Sequence, residues 1–149
     1  MTQLSFHSPI GDLTLSEADG KIVALDWGWS PFSEPTPFLA RAKGQLDDYF
    51  DGLNPDFHLA LDADGTDFQK KVWQAMTLIP YGKTMTYGEI ADNIGSHARA
   101  VGTACGMNPI PVIIPCHRVM GKDGKLTGYS GGEGVETKKF LLELEKATL

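Results

Sequence analysis

A cysteine and a histidine stand side by side at Cys116 and His117, and this pair is the part of the sequence best suited to covalent chemistry. A thiolate is a strong nucleophile, but an ordinary thiol, with a pKa of about 8.5, is mostly protonated at neutral pH. Attack by Cys116 therefore needs a nearby base, and His117 is a candidate. Adjacent residues of an extended chain point to opposite sides, so we expect His117 to act indirectly, through water. For the pair alone, a buried structural cysteine is the alternative.

The sequence gives little support for a metal site. Zinc sites need cysteines and histidines at short, regular spacings, and this sequence has no Cys-x-x-Cys pair. The cysteines and histidines are instead scattered over Cys105, Cys116, His7, His58, His97 and His117. We therefore expect no metal ion.

Composition and length indicate a globular protein. The chain has 149 residues, of which 42% are hydrophobic and 21% charged, and it is long enough for one domain or two small ones. Its longest apolar run, 110–115, is far shorter than the ~20 residues that span a membrane. Residues 1–4 do not resemble a signal peptide, and two cysteines fit a reducing compartment. We expect a cytoplasmic protein without a membrane partner.

Charge is divided unevenly along the chain. Residues 1–67 contain three basic and twelve acidic residues, whereas residues 68–149 contain ten basic and seven acidic ones. The net charge of −6 argues by itself against a nucleic-acid partner. The division predicts that any polyanion binds the second half, although an acidic surface that only keeps the protein soluble is an equal alternative.

The first sixty residues have the pattern of a small α+β unit. Apolar and polar residues alternate in Leu4–His7 and Leu13–Ser16, as in half-buried strands. The predicted elements are strands over 4–7, 13–16, 21–27 and 57–61 and a helix over 38–50. This part carries no chemical motif, so we interpret residues 1–62 as a scaffold domain.

The second half is predicted to be mainly helical. Thr66 with Gln69, and Thr86 with Glu89, match the capping box that opens a helix. Both are followed by apolar residues at helical spacing. We predict a second domain over residues 66–149.

A helix-turn-helix outline follows the second capping box. Gly95 is predicted to end one helix, and Ser96 to cap the next, which continues to Asn108. Arg99 lies in its first turn, where such helices approach DNA. The β-branched run Val112–Ile114 is then predicted to be a buried strand that leads into the Cys-His pair.

Four motifs in the second half occur in a specific order. They are Thr86–Ala91, Arg99-Ala100-Val101-Gly102, Pro115-Cys116-His117-Arg118 at the end of the run from Asn108 to Val119, and Gly128-Tyr129-Ser130-Gly131-Gly132. They resemble the O6-alkylguanine-DNA alkyltransferase family over residues 66–146. The resemblance implies an α+β fold: a small ribonuclease H-like sheet-plus-helix domain, then a helical, winged helix-turn-helix-like DNA-binding domain. It also implies irreversible transfer of the alkyl group of O6-alkylguanine, and of O4-alkylthymine, to Cys116, once per molecule.

The resemblance implies five catalytic residues. Cys116 would attack the alkyl carbon, and His117, oriented by Glu145, would take the thiol proton through water. Tyr87 would stabilise the flipped base and donate a proton as guanine leaves. Asn108 would hold the turn before the cysteine.

The resemblance also implies how DNA is bound. The damaged base would be flipped out, and Arg99 would fill the space that it leaves. A helix in the minor groove would use small residues for close approach to the backbone. These are Ala98, Ala100, Gly102 and Ala104. Phosphate contacts would come from lysines of the second half, such as Lys70, Lys83, Lys122 or Lys125.

Further residues would surround the flipped base. Ser130 and the neighbouring Tyr129 would contact its O6 side, and the carbonyls of Cys116 and Val119 would accept from its amine. Pro111 suggests tolerance of groups larger than methyl. The DNA supplies the alkyl group, so no cofactor is expected. The expected partner is double-stranded DNA that carries O6-alkylguanine, and the protein is expected to be a monomer.

Three alternatives belong to other functional classes. Alkyltransferase-like proteins bind lesions without chemistry, but they place another residue at the position of Cys116. A cysteine hydrolase would need an oxyanion hole, of which the sequence gives no sign. A helix-turn-helix regulator would leave the Pro-Cys-His-Arg segment unexplained.

Overall fold

Three antiparallel strands form the first part of the chain. In this computed structural model, which describes residues 1–147, β1 (Thr2–Phe6), β2 (Leu13–Ala18) and β3 (Lys21–Trp27) pair in the order β1-β2-β3. The central strand β2 is buried on both faces rather than half-buried as predicted, because its hydroxyl side chains have internal partners. Thr14 Oγ1 lies 2.7 Å from Ser5 Oγ and donates to the Gly28 carbonyl.

One helix covers the sheet. α1 (Pro37–Phe50) begins at the N-cap Thr36, whose side chain accepts from the Leu39 amide, and proline occupies the start of the helix, where its missing N–H is not needed. Its buried face consists of Leu39, Ala42, Leu46, Tyr49 and Phe50. This face forms the core of the first part together with the strands.

The strand predicted over Phe57–Leu61 is not formed. This segment forms a parallel bridge from Leu61 to Ile22, where the Ile22 amide donates to the Ala60 carbonyl and the Asp62 amide donates to the Ile22 carbonyl, both at 2.9 Å. The edge of β3 is shared: three residues further on, the Leu25 amide donates to the Pro109 carbonyl at 2.9 Å. A full strand therefore has no free edge to pair with.

The second part is mainly helical. It consists of α2 (Asp67–Thr77), β4 (Met85–Thr86), α3 (Tyr87–Ile94), α4 (Ala98–Gly106), a 3₁₀ turn at Cys116–Arg118, β5 (Val119–Met120), a 3₁₀ turn at Lys122–Gly124, and α5 (Val135–Ala147). β4 and β5 pair in parallel. Both predicted capping boxes are confirmed, at Thr66 and Thr86, and Gly95 ends α3 in the left-handed conformation. The α+β class is thus confirmed, and within residues 1–147 no helix is long and apolar enough to cross a membrane.

The predicted cap of α4 was wrong. Its N-cap is His97, whose Nδ1 accepts from the Ala100 amide at 3.3 Å, and not Ser96. The Ser96 amide donates to the Ala91 carbonyl and so closes the end of α3. A bond of this kind, from an amide to the carbonyl five residues earlier, usually accompanies a left-handed glycine at a helix C-terminus. Because Ser96 still belongs to the end of α3, α4 begins one residue later than predicted.

The segment Val112–Ile114 is buried but is a turn and not a strand. The Ile114 amide donates to the Ile110 carbonyl, Pro111 bridges to Ile114, and Val112 has a positive φ of 73°. Prolines at 109, 111 and 115 remove the N–H groups that a strand ladder needs. The division into domains over 1–62 and 66–149 stays a prediction, and Thr148 and Leu149 lie outside the described residues.

Candidate active site

Cys116 lines a cavity between the two parts of the chain. Its side chain is half-buried at the start of the 3₁₀ turn. The cavity has a volume of about 180 Å³, and its walls come from the end of β3, the end of α4, the turn before Cys116 and the loop 128–131. An apolar cavity of ~150 Å³ accommodates benzene, so this space is large enough for a six-membered aromatic ring.

The surroundings of Cys116 keep its sulfur protonated. Burial raises the pKa of the thiol, while a hydrogen bond from Asn108 and the charge of Lys138 act in the opposite direction. Because the pKa is raised overall, little thiolate forms spontaneously near pH 7. Nucleophilic attack from this site therefore requires a base.

His117 is fully buried, and within residues 1–147 only one of its two ring nitrogens has a hydrogen-bond partner. Its Nε2 lies 2.6 Å from Glu145 Oε2, whereas Nδ1 has no hydrogen-bond partner within residues 1–147. Burial lowers the pKa of His117, against the hydrogen bond and charge of Glu145. The ring is thus neutral at pH 7, with its proton on Nε2 toward Glu145 and Nδ1 available as an acceptor.

Glu145 is buried and ionised. Arg118 donates to its two oxygens at 2.9 and 3.0 Å, and the Tyr49 hydroxyl donates to Oε2 at 2.6 Å. Burial alone would raise its pKa, but the hydrogen bond and charge of His117, with the bonds from Arg118 and Tyr49, lower the pKa to about 2. Because Tyr49 comes from α1, this carboxylate also ties the two parts of the chain together.

Asn108 holds the turn that precedes Cys116. Its Nδ2 donates to the Ile114 carbonyl and its Oδ1 accepts from the Ile110 amide, both at 2.9 Å. These bonds close the turn in place of the strand ladder that the prolines prevent. The same amide contributes the hydrogen bond at Cys116.

Tyr87 is half-buried at the first position of α3. Burial raises its pKa to about 12, and a hydrogen bond with Thr127 acts in the opposite direction. A Cβ placed on Gly128 would lie 3.2 Å from its hydroxyl, and one on Gly102 would lie 3.9 Å from its ring. Tyr87 therefore keeps its proton at neutral pH and lies against the loop that bounds the cavity.

Lys138 is a buried residue of the site that sequence reasoning missed. Its Nζ donates to the carbonyls of Val119 and Thr127, both at 2.6 Å, and lies 5.8 Å from the Tyr87 ring centre. The Val119 carbonyl, predicted to accept from the base, thus already accepts from this lysine. A signal was present in the sequence, because Lys138 lies two helical turns before Glu145 and so on the same face of the last helix.

The predicted DNA-contacting residues of α4 do not all share one surface. Arg99 and Ala98 are exposed in its first turn, but Ala104 is buried. The space beside Gly102 faces Tyr87. Residues two apart on a helix point to different sides, so the four small residues cannot form a single contact face.

The loop after the second 3₁₀ turn borders the cavity with Tyr129 and Ser130. Ser130 is exposed, whereas Tyr129 is half-buried, and its hydroxyl is buried without a hydrogen-bond partner among residues 1–147. Both side chains adjoin the space next to Cys116, as do Pro111 and Cys105. Among residues 1–147, no group of three or more histidine, cysteine, aspartate or glutamate residues is placed to hold a metal ion.

Comparisons with known proteins identify the same family over nearly the whole chain. The family model "6-O-methylguanine DNA methyltransferase, ribonuclease-like domain" matches residues 3–63, and that of the DNA binding domain matches residues 67–147. The methylated-DNA–protein-cysteine methyltransferase of Mycobacterium tuberculosis H37Rv is 49% identical, over 96% of this chain and 91% of its own length. The constitutive protein of that name from Bacillus subtilis is 43% identical, over 94% and 92%.

Solved structures give the same result for the fold. The crystal structure of M. tuberculosis O6-methylguanine methyltransferase matches with a TM-score of 0.89 and 46% identity, over 99% of this chain and 94% of that one. A structure of the M. tuberculosis protein in complex with DNA matches with a TM-score of 0.89 and 47% identity, at the same coverage.

Proposed function

The chain belongs to the 6-O-methylguanine DNA methyltransferase family, and from this premise we propose how its residues perform the reaction. It is a DNA repair protein that transfers the alkyl group of O6-alkylguanine in DNA to its own cysteine, once per molecule. The observation that carries the assignment to Cys116 is its position on the cavity beside the buried pair His117 and Glu145. Cys105 also adjoins the cavity, but it is buried and its thiol donates a hydrogen bond to Met76 Sδ, with the two sulfur atoms 3.4 Å apart.

The transfer step exchanges one bond for another. Cys116 Sγ attacks the alkyl carbon, an S–C bond forms, and the C–O6 bond breaks with its electron pair left on guanine. The thiol proton passes through water to His117 Nδ1, the buried nitrogen that has no hydrogen-bond partner among residues 1–147. Tyr87, which holds its proton at neutral pH, donates it to the departing base. Solvent water then reprotonates the Tyr87 phenolate and takes the proton from His117, so that in the net reaction the thiol proton ends on guanine.

Fixed charges assist this proton movement. The ionised Glu145 stabilises the imidazolium that forms on His117, and Arg118 keeps that carboxylate in place. The charge of Lys138, which lies 5.8 Å from the Tyr87 ring centre, favours the thiolate that develops on Cys116. The charged groups are fixed before reaction, which is the usual source of electrostatic catalysis.

The base reaches the cavity by flipping out of double-stranded DNA. A base within the stack cannot approach Cys116, which lies in a recess between the two parts of the chain. We assign α3 and α4 as a helix-turn-helix at the DNA surface, with the exposed Arg99 filling the vacated space. Ser130 and Tyr129 would contact the O6 side of the flipped base, since both adjoin the cavity.

Other properties follow from the same chemistry. O4-alkylthymine has the same aryl–O–alkyl bond and is proposed as a second substrate. Within the described part of the chain, no group near Cys116 is suited to cleave a thioether, which supports a single turnover. One chain contains all the proposed residues, so we propose a monomer, and two unpaired cysteines favour the cytoplasm.

Mass spectrometry tests the assignment of the acceptor. The protein is incubated with a duplex that contains O6-methylguanine, and we expect one added methyl group on the peptide with Cys116. A Cys116→Ala variant should bind this duplex without transfer, whereas a Cys105→Ala variant should react like the wild type. Methylation of Cys105, or more than one guanine repaired per protein molecule, would contradict the proposal.

A further inference from the structure

The first part of the chain contributes a wall to the active-site cavity. We propose that Trp27, the last residue of β3, is a positioning residue that fixes the active-site loop (residues 128–132) and so limits the size of the alkyl group that reaches Cys116. The inference rests on the proposed function, because it concerns the same cavity. It assigns a role in the reaction to residues that the sequence pattern indicates only as scaffold.

Trp27 is held firmly at the cavity. The Leu25 amide donates to the Pro109 carbonyl at 2.9 Å, which attaches β3 to the segment before Cys116. The Trp27 Nε1–H donates to the Ile10 carbonyl at 2.9 Å, which fixes the plane of the indole. Residues 25–27 thus form a rigid wall of the cavity.

The active-site loop lies directly on this indole. A Cβ added to Gly131 would come within 2.4 Å of Trp27 Cη2 and Cζ3, and one added to Gly132 within 2.9 Å of its Nε1. The Tyr129 ring meets the indole edge-on, with ring centres 6.2 Å apart and planes at 89°. Gly131 has no positive φ, so a glycine is needed there for closeness to Trp27 and not for backbone conformation.

The loop needs such a support. Gly128 and Gly132 both have a positive φ, and glycine is the residue with the greatest backbone freedom. One end is tied by Lys138 at Thr127, and the other by the bond of the Glu133 amide to Thr137 Oγ1 at 2.8 Å. Between these ties, Trp27 sets how far Tyr129 and Ser130 lie from Cys116.

A Trp27→Phe variant tests the role, because the phenyl ring does not extend to the positions of Cη2 and Cζ3. We expect methyl transfer from duplex O6-methylguanine to slow about tenfold or more, since displacement of reacting groups by ~1 Å can cost ~100-fold. Transfer from free O6-benzylguanine should slow no more than about twofold, so the benzyl-to-methyl rate ratio rises about fivefold or more. Trp29→Phe is the matched control, since Trp29 is exposed and does not adjoin the cavity.

A Gly131→Ala substitution, made in both backgrounds, separates this role from a loss of stability. In the wild type the added methyl collides with Trp27, so transfer slows; in Trp27→Phe the methyl has room, and the further loss should be small. Each rate is divided by the concentration of active protein, which is measured as the amount of benzyl group that O6-benzylguanine transfers to the protein at completion. Equal losses in both backgrounds, or an unchanged benzyl-to-methyl ratio in Trp27→Phe, would overturn the inference. Failure of the wild type to alkylate Cys116 would instead refute the proposed function.

Discussion

His117 Nε2 lies 2.6 Å from Glu145 Oε2, and both side chains are almost completely buried. The contact joins the 3₁₀ turn of the nucleophile to α5. It leaves a defined nitrogen, Nδ1, free to accept a proton, because the other nitrogen carries its hydrogen toward the carboxylate. The arrangement therefore fixes both the tautomer and the orientation of the base.

Glu145→Gln should impair both reaction and stability. The neutral amide stabilises an imidazolium less well than a carboxylate, so we expect transfer to slow roughly 10- to 100-fold. Arg118 would lose its buried partner, which costs about 3 kcal/mol or more in the free energy of unfolding. Rapid-quench transfer assays and urea unfolding measure the two effects. Glu143→Gln, on an exposed position of the same helix, should behave like the wild type.

Stability should fall in acid because of the same carboxylate. The pKa of Glu145 is lowered from 4.5 to about 2 in the folded protein. Its contribution is therefore complete above pH 4.5 and is lost as pH falls toward 2, by about 3 kcal/mol in total. Urea unfolding between pH 6 and pH 3 should show this slope in the wild type. A Glu145→Gln variant with an equally steep slope would contradict it.

The pH dependence of transfer reports on His117. The wild-type rate should be level around neutral pH and fall only below 6.5, because the pKa of His117 is lowered. In His117→Gln the reaction depends on thiolate formed without a base, and the pKa of Cys116 is raised. Its rate should start far lower and rise about tenfold per pH unit through the alkaline range. His58→Gln, at an exposed site, should keep the level profile.

Sequence patterns located the elements whose signals are local. The capping boxes at Thr66 and Thr86 and the left-handed Gly95 were predictable because each involves residues within one helical turn. The segment before Cys116 was predicted wrongly as a strand, since β-branched residues fit a strand while the flanking prolines deny it hydrogen bonds. The strand over 57–61 failed because the edge of β3 was already shared.

The cavity itself was beyond sequence reasoning. The motif residues Cys116, Tyr129 and Ser130 were identified together, but the wall formed by Trp27 comes from a strand with no chemical motif. The residue that reveals this wall is Gly131, which must be glycine because it lies against Trp27. In a sequence, however, a glycine in a loop is usually explained by its backbone conformation. Lys138 was overlooked because a lysine on a helix is normally a solvated charge.

Lys138→Met should slow transfer although Lys138 does not adjoin the cavity. The methionine has a similar length but cannot donate to the carbonyls of Val119 and Thr127, so the active-site loop loses a tie. The charge that lowers the pKa of Cys116 also disappears, so that pKa should rise further. We expect transfer about tenfold or more slower and an alkaline shift in the pH profile of iodoacetamide labelling. Lys139→Met, on an exposed neighbour, should change neither.

Arg99→Ala separates base flipping from chemistry. Arg99 is exposed at the first turn of α4 and does not adjoin the cavity, so its loss should leave Cys116 intact. Without a side chain to fill the vacated stack, the extruded state costs a few kcal/mol more, and transfer from duplex O6-methylguanine should slow roughly 100-fold. Transfer from free O6-benzylguanine, which needs no flipping, should match the wild type within about twofold. Equal slowing with both substrates would show that Arg99 acts on the cavity or the fold instead, and Arg41→Ala, exposed on α1, controls for the loss of a positive charge.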